Sequence, residues 1–112
     1  MGMVSSHPEI TGPFEIMRWD HSEAPSLERL QRIMEREGFT GTQEEFGAST
    51  KTPEMKYTQE VFLAPISGNF KVAFPGYGVI ELNPGDILEI QPDTTHDIIA
   101  IGKPAQVLKG LN

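Results

Sequence analysis

One segment of the chain carries apolar residues at the spacing of an α-helix. Four of them recur every three or four positions: Leu27, Leu30, Ile33 and Met34. Ser26 directly precedes this run, where its side chain can cap a helix, and Gly38 fits the position just after the helix ends. The opposite face is charged. The pattern predicts one amphipathic helix that packs on the outside of a sheet.

The rest of the pattern is that of short β-strands. Six β-rich runs follow one another at intervals of about eight to ten residues: VFLAPI, NFKVAF, YGVIEL, DILEI, HDIIAI and AQVLK. Apolar residues alternate within them, as at Phe70, Val72 and Phe74, so these side chains share one face of a strand. A shorter run at 14–19 predicts a strand before the helix. No helix-length segment interrupts the six runs, which predicts an antiparallel sheet built from hairpins.

The connections between the runs contain the residues of tight turns. In Asn83-Pro84-Gly85-Asp86, proline suits the second position of a type II turn and glycine suits the third, where φ is positive. Pro92 begins a second turn of this kind. Pro65 lies inside a strand run and cannot donate a ladder hydrogen bond, which predicts a bulge or an edge position.

Length and composition fit one small domain. The chain has 112 residues, and its nine prolines and eleven glycines are spread along it rather than clustered. Residues 1–13 are polar and include two prolines, which predicts a flexible N-terminal arm. Residues 14–112 are then expected to form the single domain.

The chain is acidic and contains no cysteine. A formal net charge of −7 would repel nucleic acid and anionic membranes, so neither is an expected partner. The lack of cysteine excludes disulfides, zinc–thiolate sites and thiol nucleophiles. No apolar run approaches the length of a membrane span, and the N-terminus lacks the apolar stretch of a signal peptide. The expected location is the cytoplasm.

The segment 84–96, PGDILEIQPDTTH, resembles the second sequence motif of the cupin family. In that motif a Gly-Asp turn begins a strand, a proline-containing turn follows, and a histidine comes eleven residues after the glycine. The matching residues here are Gly85, Asp86, Pro92 and His96. Position 93, often glycine in the family, is Asp93, which also tolerates a left-handed turn.

The first cupin motif has His-x-His, then a Glu, then a Gly that closes a hairpin. Glu60 and Gly68 resemble this Glu and Gly, with one extra residue between them, whereas the histidine positions align with Glu54 and Lys56. The helix and the closing VLKG are also similar to those of small single-domain cupins of the RmlC-like superfamily. The resemblance covers about residues 27–110. It implies an all-β fold: an antiparallel cupin-type β-barrel (a double-stranded β-helix, or jelly roll) with one short N-terminal helix.

The resemblance also implies a ligand pocket inside the barrel. Metal-binding cupins usually hold a divalent ion with three histidines and one glutamate, which leaves positions open for substrate. Here Glu60 and His96 are the metal-ligand candidates for iron, manganese, nickel or zinc, whereas the ammonium of Lys56 would repel the ion. We therefore expect a metal-poor pocket, lined by Glu54, Lys56, Glu60 and His96, that binds a small polar or anionic molecule.

Two other functions fit the same sequence. A metal-dependent cupin enzyme, such as a dioxygenase, isomerase or lyase, would use His96 with Glu54 and Glu60 as ligands. A structural or regulatory dimer would instead have a barrel filled by its own side chains. The apolar strand at 14–19, together with the resemblance, predicts a homodimer because strand edges need cover.

The pocket prediction depends on strand register. Glu54, Lys56 and Glu60 share one face of a strand only if their alternation is unbroken. A slip of one residue would turn Lys56 outward and bring Met55 and Tyr57 to the cavity instead.

Overall fold

The computed structural model describes residues 10–48, 51–100 and 103–112, so most of the predicted arm, residues 1–9, lies outside the described residues. One helix and eight strands occupy these ranges: β1 (Phe14–Met17), α1 (Leu27–Arg36), β2 (Thr40–Phe46), β3 (Val61–Ser67), β4 (Phe70–Phe74), β5 (Gly78–Leu82), β6 (Ile87–Ile90), β7 (Asp97–Ala100) and β8 (Ala105–Leu111). The strands form a five-stranded sheet in the order β1-β6-β3-β8-β2 and a three-stranded sheet in the order β5-β4-β7. Every strand pair in these two sheets is antiparallel, as the sequence predicts.

The inner faces of the two sheets enclose an apolar core. The alternation predicted for β4 is confirmed, because Phe70, Val72 and Phe74 are all buried. Phe14 of β1 stacks on Phe74 with ring centroids 4.2 Å apart, and Phe46 of β2 meets Phe70 edge to face at 5.1 Å. Aromatic side chains therefore pack against each other between the sheets.

The helix α1 packs on the outer face of the five-stranded sheet. Ser26 caps it as predicted, since its Oγ accepts a hydrogen bond from the Arg29 backbone N–H at 3.2 Å. Gly38 follows its last turn with a φ of 93°. Leu30 and Met34 are buried in a second apolar cluster with Phe39 and four strand residues: Phe62, Ala64, Ile87 and Leu108. The described residues contain no helix with the length and apolarity that a membrane span needs.

The Gly-Asp turn before β6 holds the segment after β1 in place by packing and hydrogen bonds. Gly85 has a φ of 91°, and a Cβ at this position would lie 2.4 Å from the Trp19 ring, so only glycine fits. The buried Asp86 carboxylate accepts hydrogen bonds from the backbone N–H groups of Trp19 and Asn83, both at 2.9 Å. It also pairs with Arg18 at 2.8 Å. The turn thus joins two parts of the chain that are distant in sequence.

The structure departs from the sequence pattern mainly at β2. This strand is not predicted, because only Phe46 among its residues is buried and its other side chains are polar or glycine. It forms through a seven-residue ladder with β8 at the edge of the sheet. The predicted first strand is shorter than 14–19 and ends at Met17. The bulge predicted at Pro65 is confirmed by a register shift between Pro65 and Ser67.

Candidate functional site

His96 lies inside the barrel, just before β7, and only 1% of its surface is exposed. Its Nδ1 is 3.0 Å from the backbone oxygen of Thr94. A carbonyl oxygen can only accept, so Nδ1 carries the proton that forms this bond. The neutral imidazole therefore presents Nε2 as a hydrogen-bond acceptor. The rings of Tyr57 and Phe74 flank it, with centroids at 6.0 and 6.1 Å.

The surroundings of His96 favour this neutral form. Burial lowers the pKa of His96 below its ordinary value, and the nearby charge of Lys109 lowers it further. The hydrogen bond to Thr94 and the charge of Asp97 act in the opposite direction but do not reverse the shift. At neutral pH the ring is therefore uncharged.

Lys109 brings a positive charge to the same interior. It follows the buried Ala105 and Val107 at alternate positions of β8, so it faces inward with them. Its Nζ donates a hydrogen bond to Tyr57 Oη at 2.7 Å and lies 4.8 Å from the centre of that ring. The residue opposite it on β2, Thr42, shares its face and is exposed. We call His96, Tyr57 and Lys109 the inner polar cluster.

In the segment before β3, the odd-numbered residues Met55 and Tyr57 face inward, as in the register shifted by one residue. Met55 pairs directly with His96: its N–H donates to His96 O at 2.8 Å, and His96 N–H donates to Met55 O at 2.9 Å. Directly paired residues share a face, so Met55 and Tyr57 turn inward and pack on the core. Glu54 and Lys56 are exposed. The interpretation that even-numbered residues of this segment face the cavity is therefore wrong.

Glu60 contacts the C-terminal residue of the chain. It is partly exposed, and its Oε1 accepts a hydrogen bond from Asn112 Nδ2 at 3.2 Å. It lines a surface groove together with Glu15 and Glu89. Within the described ranges, no hydrogen bond or ion pair joins His96 to Glu54, Lys56 or Glu60. A role for these residues in ligand binding stays a prediction.

The groups around His96 do not fit a divalent ion. Its neighbours offer an ammonium, a phenol and a thioether, where a cupin metal site needs imidazoles and a carboxylate. Across residues 10–48, 51–100 and 103–112, no group of three or more His, Asp or Glu side chains could hold a metal ion.

Comparison with known proteins identifies the fold. Neither the models of known protein families nor the curated proteins give a match. Among solved structures, the chain is similar to a cupin 2 domain-containing protein from Halorhodospira halophila, with a TM-score of 0.67. The two are 18% identical, and the match covers 90% of this chain and 76% of that one. This chain has the cupin fold.

Two further cupin-type structures support the assignment. A DUF861 family protein from Thermotoga maritima matches with a TM-score of 0.58 and 13% identity, over 88% of this chain and 99% of that one. The cupin domain of Drosophila melanogaster CENP-C matches with a TM-score of 0.56 and 21% identity, over 62% of this chain. This chain spans a little over half of that CENP-C chain, 58%. The resemblance found in the sequence is thus confirmed at the level of the fold.

The inward register of Met55 and Tyr57 offers a second alignment of the first motif. If Met55 and Tyr57 occupy the two histidine positions, the glutamate position falls on Val61, which faces the core and is 1% exposed. The extra residue before Gly68 then disappears. Glu60 carries the family's residue type one position earlier, which hides this alignment in the sequence. An inward position for Lys109 is not predicted, although Ala105, Val107 and Lys109 alternate along the last strand.

Proposed function

We propose that this cupin domain binds a small molecule at the inner polar cluster without a resident metal ion. One observation carries the proposal. Met55, Tyr57 and Val61 face the core. In the alignment that follows this register they take three of the family's four metal-ligand positions, and only His96 keeps a metal-binding side chain. The ammonium of Lys109 supplies positive charge at the same end of the barrel, where it would repel a divalent cation.

The metal-dependent enzyme is the alternative, and metal content tests it. The protein would be purified without chelators and without an immobilised-metal column, and its iron, manganese, nickel and zinc measured by mass spectrometry. We expect well under one equivalent of each metal, because no group of three or more His, Asp or Glu side chains in the described chain could hold an ion. One equivalent in the parent protein, lost in His96→Ala, would overturn the proposal and favour the enzyme.

A second candidate function is that of an interaction domain with no small ligand. The observation that favours it is the packed interior, in which aromatic rings contact each other between the sheets. One of the similar structures is of Drosophila CENP-C bound to CAL1, so a matching protein has a protein partner. On this alternative, no small molecule would perturb the nuclear magnetic resonance signals of Tyr57 and His96.

A further inference from the structure

We infer that the ligand is a small carboxylate that also carries a hydroxyl group, held by Lys109 and Tyr57 at its acid end and by His96 at its hydroxyl end. This inference rests on the proposed function and names the ligand class for the same cluster. Three separate features of the cluster support it: an unbalanced charge, a free proton donor and an unpaired acceptor.

The charge of Lys109 has no counter-ion in the described chain. The Lys109 side chain belongs to a half-buried residue, and its ammonium makes one hydrogen bond, to Tyr57 Oη. No ion pair joins it to a carboxylate in the described ranges, although Glu44 lies on the same inward face of β2. An ammonium group has three donors, and withdrawing it from water is unfavourable unless an anion or acceptors satisfy it. A carboxylate would supply both the charge and the acceptors.

Tyr57 can donate to the same carboxylate. Its oxygen accepts the hydrogen bond from Lys109 Nζ, which leaves its own O–H proton unused. No acceptor for this proton is recorded in the described part of the chain. Lys109 and Tyr57 therefore offer two adjacent donors, one charged and one neutral, to an anion.

The Nε2 atom of His96 is the acceptor for the hydroxyl group of the ligand. Because Nδ1 donates to Thr94 O, the neutral ring presents Nε2 as an acceptor, and no donor to Nε2 is recorded within the described ranges. A ligand O–H would satisfy this acceptor, whereas a carboxylate oxygen facing it would be repelled. Tyr57 neighbours both groups, with its ring 4.8 Å from Lys109 Nζ and 6.0 Å from the His96 ring.

Three probes of similar size test the inference: lactate, propionate and lactamide. Propionate lacks the hydroxyl of lactate, and lactamide lacks its charge. Binding would be followed on the unmodified protein by two-dimensional nuclear magnetic resonance at constant ionic strength. We expect lactate to bind most tightly, with shifts centred on Tyr57, His96 and Lys109. Each of the other probes should bind roughly tenfold more weakly, the loss typical of one hydrogen bond to a buried or charged group.

Substitutions identify the residues that bind lactate. Lys109→Met keeps the apolar stem of the side chain and should weaken lactate binding by at least roughly tenfold, whereas Lys56→Met at an exposed lysine should leave it unchanged. Tyr57→Phe should weaken it severalfold. If Lys109→Met fails to fold, the comparison of lactate with lactamide on the parent protein still decides the question.

The outcomes separate this inference from the proposed function. Lactamide binding as tightly as lactate at the inner polar cluster would overturn the carboxylate assignment and leave the proposed function standing. Shifts from lactate that lie on the surface instead of the cluster would also overturn it. A stoichiometric metal ion bound through His96 would overturn the proposed function as well.

Discussion

Glu89 shows how one carboxylate can lower the stability of the whole domain. It lies on β6 directly opposite Glu15 of β1, and Glu37 and Glu60 are also close enough to repel it. Its Oε2 is buried without a hydrogen-bond partner in the described structure. Burial raises the pKa of Glu89 above its ordinary value of 4.5, and the three neighbouring carboxylates raise it further.

We predict that Glu89→Gln raises the thermal midpoint at pH 7 by a few degrees. Because the folded state raises this pKa, folding favours the protonated acid, and the ionised group destabilises the fold above the raised pKa. As the pH falls toward 4.5, the acid becomes protonated in the folded state and the difference between variant and parent should narrow. Scanning calorimetry from pH 7 to pH 4 measures this. The control is Glu54→Gln, at an exposed glutamate. An equal rise in its thermal midpoint would contradict the assignment of the effect to Glu89.

At the scale of elements, the Gly-Asp turn and the segment after β1 depend on one buried carboxylate. We predict that Asp86→Ala destabilises the domain by about 2 kcal/mol, since two backbone N–H groups lose their acceptor. Urea unfolding followed by circular dichroism measures the loss. Asp20→Ala, at an exposed aspartate in the same segment, is the matched control. Equal effects of the two substitutions would mean that the hydrogen bonds of Asp86 contribute nothing.

Elements set by local residues could be predicted from the sequence, and those set by distant pairing could not. The helix α1 and the turn at Gly85 follow from capping and φ preferences that act within a few residues. The strand β2 depends on its ladder with β8, about sixty residues away, and has little apolar alternation of its own. The inner polar cluster was missed for a related reason, because cross-strand pairing with His96 decides which residues of 54–57 face inward.

At the scale of the whole molecule, the homodimer stays a prediction. The strand β1 lies at an edge of the five-stranded sheet, and Met17 at its end is 40% exposed. Sedimentation equilibrium at micromolar concentration should give twice the chain mass of 12.4 kDa. Met17→Glu should shift the equilibrium to the monomer by placing a charge on this edge, whereas Val79→Glu on β5 should not. A monomeric parent protein would refute the prediction.

The packing of Trp19 on Gly85 has an optical consequence. The chain contains a single tryptophan, and its ring sits on the Gly-Asp turn with the Arg29 guanidinium 5.1 Å from its centre. Intrinsic tryptophan fluorescence of this protein therefore comes from the place where the segment after β1 docks, remote in sequence from the inner polar cluster. A change in emission reports detachment of that segment, while the far-ultraviolet dichroism reports the sheets, so the two signals can distinguish local opening from global unfolding.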